Sequence, residues 1–365
     1  MKIAIFHDYF DEIGGAEITL LHLARGLNAT ILTTNIDRKK IDLLGFKDVK
    51  MMSIGRVTQT KRLKQILTAM KFFFLSKKDY DFFIFGGSLS IYASQRNKPN
   101  IWLCFSPQRG LYDLRYQNVS KGNTLVQSIK SLQIYFDKKY AKSFKTILAP
   151  SRNIQERIKK YYNRESKVIH HLIENKGFYN KPNKNYWLAL SRIDPYKRIE
   201  LQIEAFSKIK DQRLFIVGGP AEENKYYFDK LKRNSPKNIT FLGPIFDKKK
   251  LSALYSECKG FITTSKDEDF GMTPIEAMAS GKPVIAPNEG GYKETILNNK
   301  TGILIDNLDA EKLAKAITSM SKQLKDKRVQ LRYKKACQQQ AKKFDVKIFI
   351  DKIKNEIEEA VKQDV

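Results

Sequence analysis

The sequence predicts an α/β protein of two doubly wound, parallel-sheet domains facing a cleft. Three features carry that expectation. Short apolar runs of strand type alternate with stretches of helical periodicity along nearly the whole 365 residues. The alternation breaks once, from Ile173 to Asn185, where Asn, Lys, Gly and Pro dominate, and then it restarts. Polar, glycine-containing loops follow the strands, and the carboxyl ends of parallel strands are where such sheets bind ligands.

Taken in order, Lys2 to His7 is an apolar run followed by a polar turn, Gly14-Gly15, and a periodic stretch through Ile18, Leu21, Ala24 and Leu27. This is strand, glycine loop, helix, with backbone amides free to approach a phosphate at Gly15. Ala29 to Thr34, Val49 to Ser53, Asp81 to Phe85, Ile101 to Phe105, Thr146 to Ala149 and Val168 to His170 read as further strands. Ser106 to Gly110 continues from the Ile101 strand, so Arg109 and Arg115, with Tyr112 and Asp113, are candidates for contacting an acceptor or a phosphate. Helices are expected from Thr124 to Lys142 and after Ser151. Adjacent His170 and His171 would point to opposite sides of a strand, which disfavours a metal site. After the Ile173 to Asn185 linker come strands at Tyr186, Arg213, Ile239, Gly260, Val284 and Gly302, with helices from about Lys197, after Pro220, and from Asp247 and Asp309. The expected domains are 1–175, binding the acceptor, 176–343, binding a nucleotide, and an amphipathic tail, 344–365, packing back on the first.

Composition narrows the class. With 42% hydrophobic and 29% charged residues the chain is globular, and no apolar run reaches the ~20 residues of a membrane-spanning helix. The amino terminus reads as a first strand rather than a signal peptide. Cys104, Cys258 and Cys337 have neither metal nor disulfide spacing, which points to a cytoplasmic protein with free thiols. The formal charge of +28 leans to the first half, where positions 1–180 hold 31 Lys and Arg against 14 Asp and Glu. Such an excess favours anionic partners. Residues 56–78 hold Arg56, Lys61, Arg62, Lys64, Lys71, Lys77 and Lys78 with no acid, and Leu63, Ile66, Leu67, Met70 and Phe74 share one helical face with Lys61, Lys64, Lys71 and Thr68 on its flank. A basic amphipathic helix of this kind suits an anionic membrane surface, making the protein peripheral on the inner face of the membrane; an ordinary helix with a core-facing stripe is the other reading.

The stretch DEDFGMTPIEAMASGKPVI, residues 267–285, concentrates the chemistry. Glu268 and Glu276 flank a loop, Phe270-Gly271, that runs into a helix capped by Thr273 with Pro274 at its first position. A helix amino terminus attracts anions and carboxylates bind hydroxyls, so a ligand with phosphate and vicinal hydroxyls fits. Arg192 and Lys197, at the end of the Tyr186 strand, can reach a diphosphate, one as a fork and one as a point charge.

The motifs SRIDPYKRIELQIEAF, LFIVGGP, NITFLGPIFDKKKLSALYSECKGFITTS, EDFGMTPIEAMASGKPVIAPNEGGYKETI and TGILID, in that order, resemble the nucleotide-binding half of retaining GT-B glycosyltransferases of family 4, the glycosyl transferases group 1. The likeness is nearest to the branch using GDP-mannose and covers residues 186–306, extending loosely to the GGAE and SPQR loops. It implies two Rossmann-like domains and transfer of a hexose, mannose from GDP-mannose, onto a glycan or lipid-linked acceptor at the cytoplasmic membrane face. It further implies that Arg192 and Lys197 bind the donor diphosphate, that Glu268 holds the transferred sugar and Glu276 the ribose, and that backbone amides of Phe270, Gly271, Met272 and Thr273 meet sugar and phosphate. Gly15 would close on the diphosphate, and no metal or other cofactor would be needed. Phe105 stands where members of this branch often have histidine, so the contact with sugar or proton there becomes a packing one, with His7 a candidate substitute. Phe105 and Arg109 are the acceptor-side candidates.

Because none of these side chains reads the base, a UDP-sugar donor stays open. So do two other classes: a basic nucleic-acid binder, for which no RNA-binding signature is present and which is not expected, and an inactive scaffold, raised by Phe105.

Overall fold

The computed structural model describes residues 1–113 and 124–363, with the side chains at 61, 62 and 124–126 outside the description. Arg115 and the side chains of Lys61 and Arg62 therefore lie outside the described residues. The chain divides into two compact units, Met1–His171 with Lys347–Val365, and Leu172–Val346.

In the first unit the strands are β1 (Ile3–Phe6), β2 (Thr30–Thr33), β3 (Met51–Ser53), β4 (Phe82–Phe85), β5 (Asn100–Leu103), β6 (Thr146–Ala149) and β7 (Lys167–Val168). They form one parallel sheet in the order β3-β2-β1-β4-β5-β6-β7. β1 and β4, with sequences IAIF and FFIF, are buried along their whole length, as strands covered on both faces must be. Phe6 meets Phe83 and Phe85 edge-on, at 5.5 and 5.2 Å between ring centres, and Phe85 meets Phe144 at 5.2 Å. The helices are α1 (Gly15–Leu27), α2 (Arg38–Leu43), α3 (Lys61–Phe74), α4 (Thr124–Ala141) and α5 (Arg152–Tyr162).

The second unit has β8 (Trp187–Leu190), β9 (Leu214–Val217), β10 (Ile239–Gly243), β11 (Phe261–Ile262), β12 (Val284–Pro287) and β13 (Gly302–Ile305), parallel in the order β10-β9-β8-β11-β12-β13. Its helices are α6 (Ile199–Lys208), α7 (Lys225–Arg233), α8 (Lys248–Glu257), α9 (Met272–Ala279), α10 (Tyr292–Thr295), α11 (Ala310–Gln323) and α12 (Lys327–Lys342). Alternation along the strands builds two cores: Trp187, Ile216, Ile262 and Ile285 pack with Leu313 and Ile317 of α11, while Leu188, Val217, Phe261 and Val284 pack with Ile275 and Met278 of α9. The last helix, α13 (Val346–Lys362), belongs to the first unit but for its first residue and buries Phe349, Ile353, Ile357 and Ala360. Lys167 holds it through Glu356 and Glu359 at 2.8 and 2.7 Å.

In each sheet the strand order reverses once, between β1 and β4 and between β8 and β11. Loops leaving the carboxyl ends of those neighbours diverge to opposite faces, and the crevice between them is where doubly wound sheets take ligands.

Three expectations need correction. α9 starts at Met272 with Gly271 as its cap at φ 91°, so Thr273 and Pro274 lie inside its first turn, where proline is tolerated because no intrahelical N–H is required. The stretch taken for a linker is pinned along the second unit: Lys181 and Lys184 donate their amides to the Ser256 and Glu257 carbonyls at 3.0 and 2.8 Å. On α3, Lys64 and Thr68 are buried rather than flanking, and the apolar stripe faces outward.

Candidate active site

In the second unit, β8 leads into Ser191 to Arg198. Asp194 accepts the Tyr196 amide at 3.0 Å and starts a single tight turn, Pro195–Lys197; Arg198, at φ 48°, then redirects the chain into α6. Thr264, just past β11, donates its hydroxyl to the Lys197 carbonyl at 2.6 Å and ties the two loops together. As a result Lys197 Nζ lies 2.7 Å from Glu268 Oε2, each side chain about one-fifth exposed (19 and 21%). Tyr292 donates to the same carboxylate oxygen at 3.2 Å while its hydroxyl sits 2.6 Å from Thr263 Oγ1. Burial opposes ionisation of Glu268, yet Lys197, with hydrogen bonds from Ser265 and Tyr292, holds its carboxyl below the usual range.

The loop bearing Glu268 is fixed from beneath. Gly290 and Gly291 pack so closely on it that a Cβ at Gly290 would come within 2.5 Å of the Glu268 carbonyl, and one at Gly291 within 2.4 Å of Phe270 Cα. The Gly291 amide donates to the Glu268 carbonyl at 2.8 Å. Phe270 is buried, its ring edge-on to Phe344 at 5.5 Å between centres. Arg198 donates to the Thr264 carbonyl at 2.6 Å and pairs with Glu289, bracing the neighbouring loop.

Of the predicted residues, the structure brings Lys197 and Glu268 into contact. Arg192 lies on the same loop as Lys197, is exposed, and makes no ion pair among the described residues. Glu276, on α9, accepts a hydrogen bond from Tyr255 at 2.7 Å, and burial pushes its pKa up to about 7.

In the first unit a recess of about 230 Å³ opens between the carboxyl ends of β1, β4 and β5, lined by His7, Glu17, Ser88, Trp102, Phe105 and Ser106 among others. Gly15 opens α1 beside it. Glu17 accepts the Gly14 amide at 2.7 Å with one oxygen and meets His7 Nε2 at 2.8 Å with the other, fastening the glycine loop to the end of β1. Burial works against charging either partner, but each stabilises the other's charge: His7 is raised and Glu17 lowered. Phe105 stacks flat on His171, ring centres 5.0 Å apart, and His171 is held by Thr19 at 3.0 Å; burial lowers its pKa to about 4. Arg109 pairs with Asp113 at 2.8 Å and does not line the recess.

Tyr292, Tyr255, Glu17 and the Gly290-Gly291 pair also shape the two sites, and the sequence alone does not assign them a role. The glycine pair was visible as PNEGGYKE, and its signal was that two adjacent glycines before a helix allow one backbone to lie on another.

Two outcomes follow from this geometry. Gly291→Ala should displace the Glu268 loop and lower stability by ~2 kcal/mol or more, read as a fall in Tm. For Glu276, a carboxyl raised above its unfolded value gives stability that is complete at acid pH and lost as pH rises through about 7. Glu276→Gln removes that loss, so thermal melts should show its Tm gaining on the wild type between mildly acid and mildly alkaline buffer; a constant difference would mean that Glu276 does not titrate there.

Known proteins show the same plan. Residues 172–343 match the family described as Glycosyl transferases group 1. The alpha-1,3/1,6-mannosyltransferase ALG2 of Dictyostelium discoideum is 26% identical over 365 aligned positions, 83% of this chain and 86% of that protein. The sulfoquinovosyl transferase SQD2 of Arabidopsis thaliana is 29% identical over 180 positions, 48% of this chain and 34% of its own length. Among solved structures, Anabaena Alr3699/HepE in complex with UDP and glucose superposes with a TM-score of 0.78 over 98% of this chain and 100% of its own, at 18% identity, a likeness of fold. The second unit is thus a glycosyl transferases group 1 domain, and the protein is a glycosyltransferase of GT-B fold.

Proposed function

We propose that the protein transfers mannose from GDP-mannose, with retention of configuration, to a glycan or lipid-linked acceptor at the cytoplasmic face of a membrane. The contact between Lys197 and Glu268 at the point where the second sheet reverses carries this reading. A nucleoside diphosphate needs a cation where negative charge develops as the sugar departs, and the sugar's hydroxyls need an acceptor oxygen beside that cation. Lys197 supplies the first and Glu268, held ionised, the second. Arg192, exposed on the same loop, adds a guanidinium for the diphosphate, so that the two side chains rather than a metal ion or other cofactor meet its charge. Glu276 takes the ribose hydroxyls, and the amides of Phe270 to Thr273 meet sugar and phosphate.

In the reaction, the bond from the anomeric carbon to the diphosphate breaks and a bond from that carbon to the acceptor oxygen forms on the same face. The acceptor's proton passes to the departing phosphate oxygen, giving GDP and the glycoside. Phe105, stacked on His171, offers an apolar wall to the acceptor and carries no proton, in keeping with a proton that stays on substrate. The likeness to a mannosyltransferase along most of the chain supports mannose as the sugar. A group 1 domain favours neither a nucleic-acid binder nor an inactive scaffold.

Isothermal titration with GDP, UDP and ADP, followed by hydrolysis and transfer assays with a panel of sugar nucleotides, tests the donor. GDP should bind tightest and GDP-mannose turn over; preference for UDP would replace the mannose assignment with a UDP-sugar. Lys197→Ala and Glu268→Gln should each lower kcat/KM by about 10²- to 10³-fold, as loss of a charge-stabilising group does.

A further inference from the structure

Arg198 stands in the left-handed region, at φ 48° and ψ 44°, where a residue with a side chain persists only when its surroundings fix it. It follows Lys197 directly and caps α6, so the conformation it adopts sets the direction in which Lys197 leaves the turn. What fixes it is its own guanidinium. Nε donates to the Thr264 carbonyl at 2.6 Å, and one terminal nitrogen reaches the Ser265 carbonyl at 3.4 Å and pairs with Glu289. Thr264 returns the contact, its hydroxyl lying 2.6 and 3.1 Å from the Lys197 and Arg198 carbonyl oxygens. Gln202 on α6 donates to that hydroxyl in turn, at 2.9 Å.

Glu289 is equally well placed. It precedes Gly290-Gly291, the pair on which the Glu268 loop lies. The strands β8, β11 and β12 are neighbours in the sheet, and the Arg198 side chain spans the loops that leave all three. Lys197 and Glu268 join only the first two. Two ion pairs from consecutive residues thus tie these loops together, and they do different work. When a sugar diphosphate occupies the site, the Lys197 ammonium turns to phosphate and the Glu268 carboxylate to hydroxyls, so their mutual contact is given up. The Arg198 guanidinium is engaged by two carbonyls and a carboxylate that take no part in that exchange.

We propose that Arg198 is a positioning residue of the transfer reaction: with Glu289 it holds the ends of β8, β11 and β12 together so that Lys197 stands where charge develops on the departing diphosphate. This role rests on the site assigned above to Lys197 and Glu268. A guanidinium suits it because a rigid, planar fork bonds several oxygens at once. A group displaced by about 1 Å from its working position can cost about 10²-fold in rate. A part-buried ion pair adds little net stability, so its loss is felt in rate before it is felt in folding.

The test is kinetic, with the sugar nucleotide that turns over. Arg198→Gly leaves the left-handed turn accessible and removes the guanidinium, and Glu289→Gln removes only the partner's charge. Each should lower kcat about tenfold, with KM for the donor within about twofold of wild type and Tm close to it. The deciding comparison is made in Lys197→Ala, where Arg198→Gly should lower kcat no further because nothing remains to be placed. Should Arg198→Gly fail to fold, Glu289→Gln in the same two backgrounds gives the same comparison. An equal tenfold loss in both backgrounds, a loss confined to KM, or wild-type kcat in both single variants would overturn the proposal. Full activity of Lys197→Ala would overturn the site assignment and the brace with it; a loss at Lys197→Ala to which Arg198→Gly adds its own in full would overturn the brace alone.

Discussion

The contact between the Lys197 ammonium and the Glu268 carboxylate depends on nearly everything else in the second unit. The two residues are 71 positions apart and meet only because β8 and β11 are neighbours at the reversal of the sheet. Each loop is then held by its own backbone device: the Asp194 cap and Thr264 hydroxyl for Lys197, the glycine pair and buried Phe270 for Glu268. A partly buried ion pair is a weak source of net stability, because desolvation offsets much of the attraction. Its rigid support fits a site kept charged for a ligand better than a fastening for the fold.

The first unit uses the same sheet logic with different chemistry. His7 follows β1 directly, and Glu17 lies in the first turn of α1, so their contact closes the loop carrying Gly14 and Gly15 onto the strand end. Asp8, the next residue, accepts amides from Ser88, Leu89 and Ser90 across the reversal, and burial raises its pKa despite those bonds. His7 Nε2 and the carboxylate oxygens of Glu17 and Asp8 are thus spent on shaping the recess.

Much of the fold was legible because a strand buried on both faces has to be apolar throughout, and runs such as IAIF, FFIF and VIAP are. Helices α2, α10 and α12 were not foreseen. α10 is a single turn, and α12 reads KRVQLRYKKACQQQAK, with only Tyr333, Cys337, Gln340 and Ala341 buried, too few apolar residues to show a period. At the site, Lys197 and Glu268 could be named from their loops, but their contact could not, since it rests on strand order. Tyr292 and Tyr255 were illegible for the same reason: each acts on a carboxylate from an adjacent element, and nothing local marks a tyrosine as a hydrogen-bond donor to one.

Helix α3 shows the limit most clearly. Its apolar positions were correctly grouped on one face, and a core-facing stripe is what that grouping ordinarily means. The direction of the face was set elsewhere, by Asp11 and Tyr9 in the loop after β1. An unpaired ammonium cannot be buried, so a helix can turn a lysine inward only where a carboxylate already waits. Asp11 is that carboxylate, and its hydrogen bonds from Asn35 and Gln59 at 3.1 Å hold it in place. Burial alone would raise its pKa; Lys64 and these two amides bring it below the usual range. The outward stripe is therefore a consequence of a satisfied polar network near the site, which ties the orientation of the apolar surface to the loop that follows the first strand.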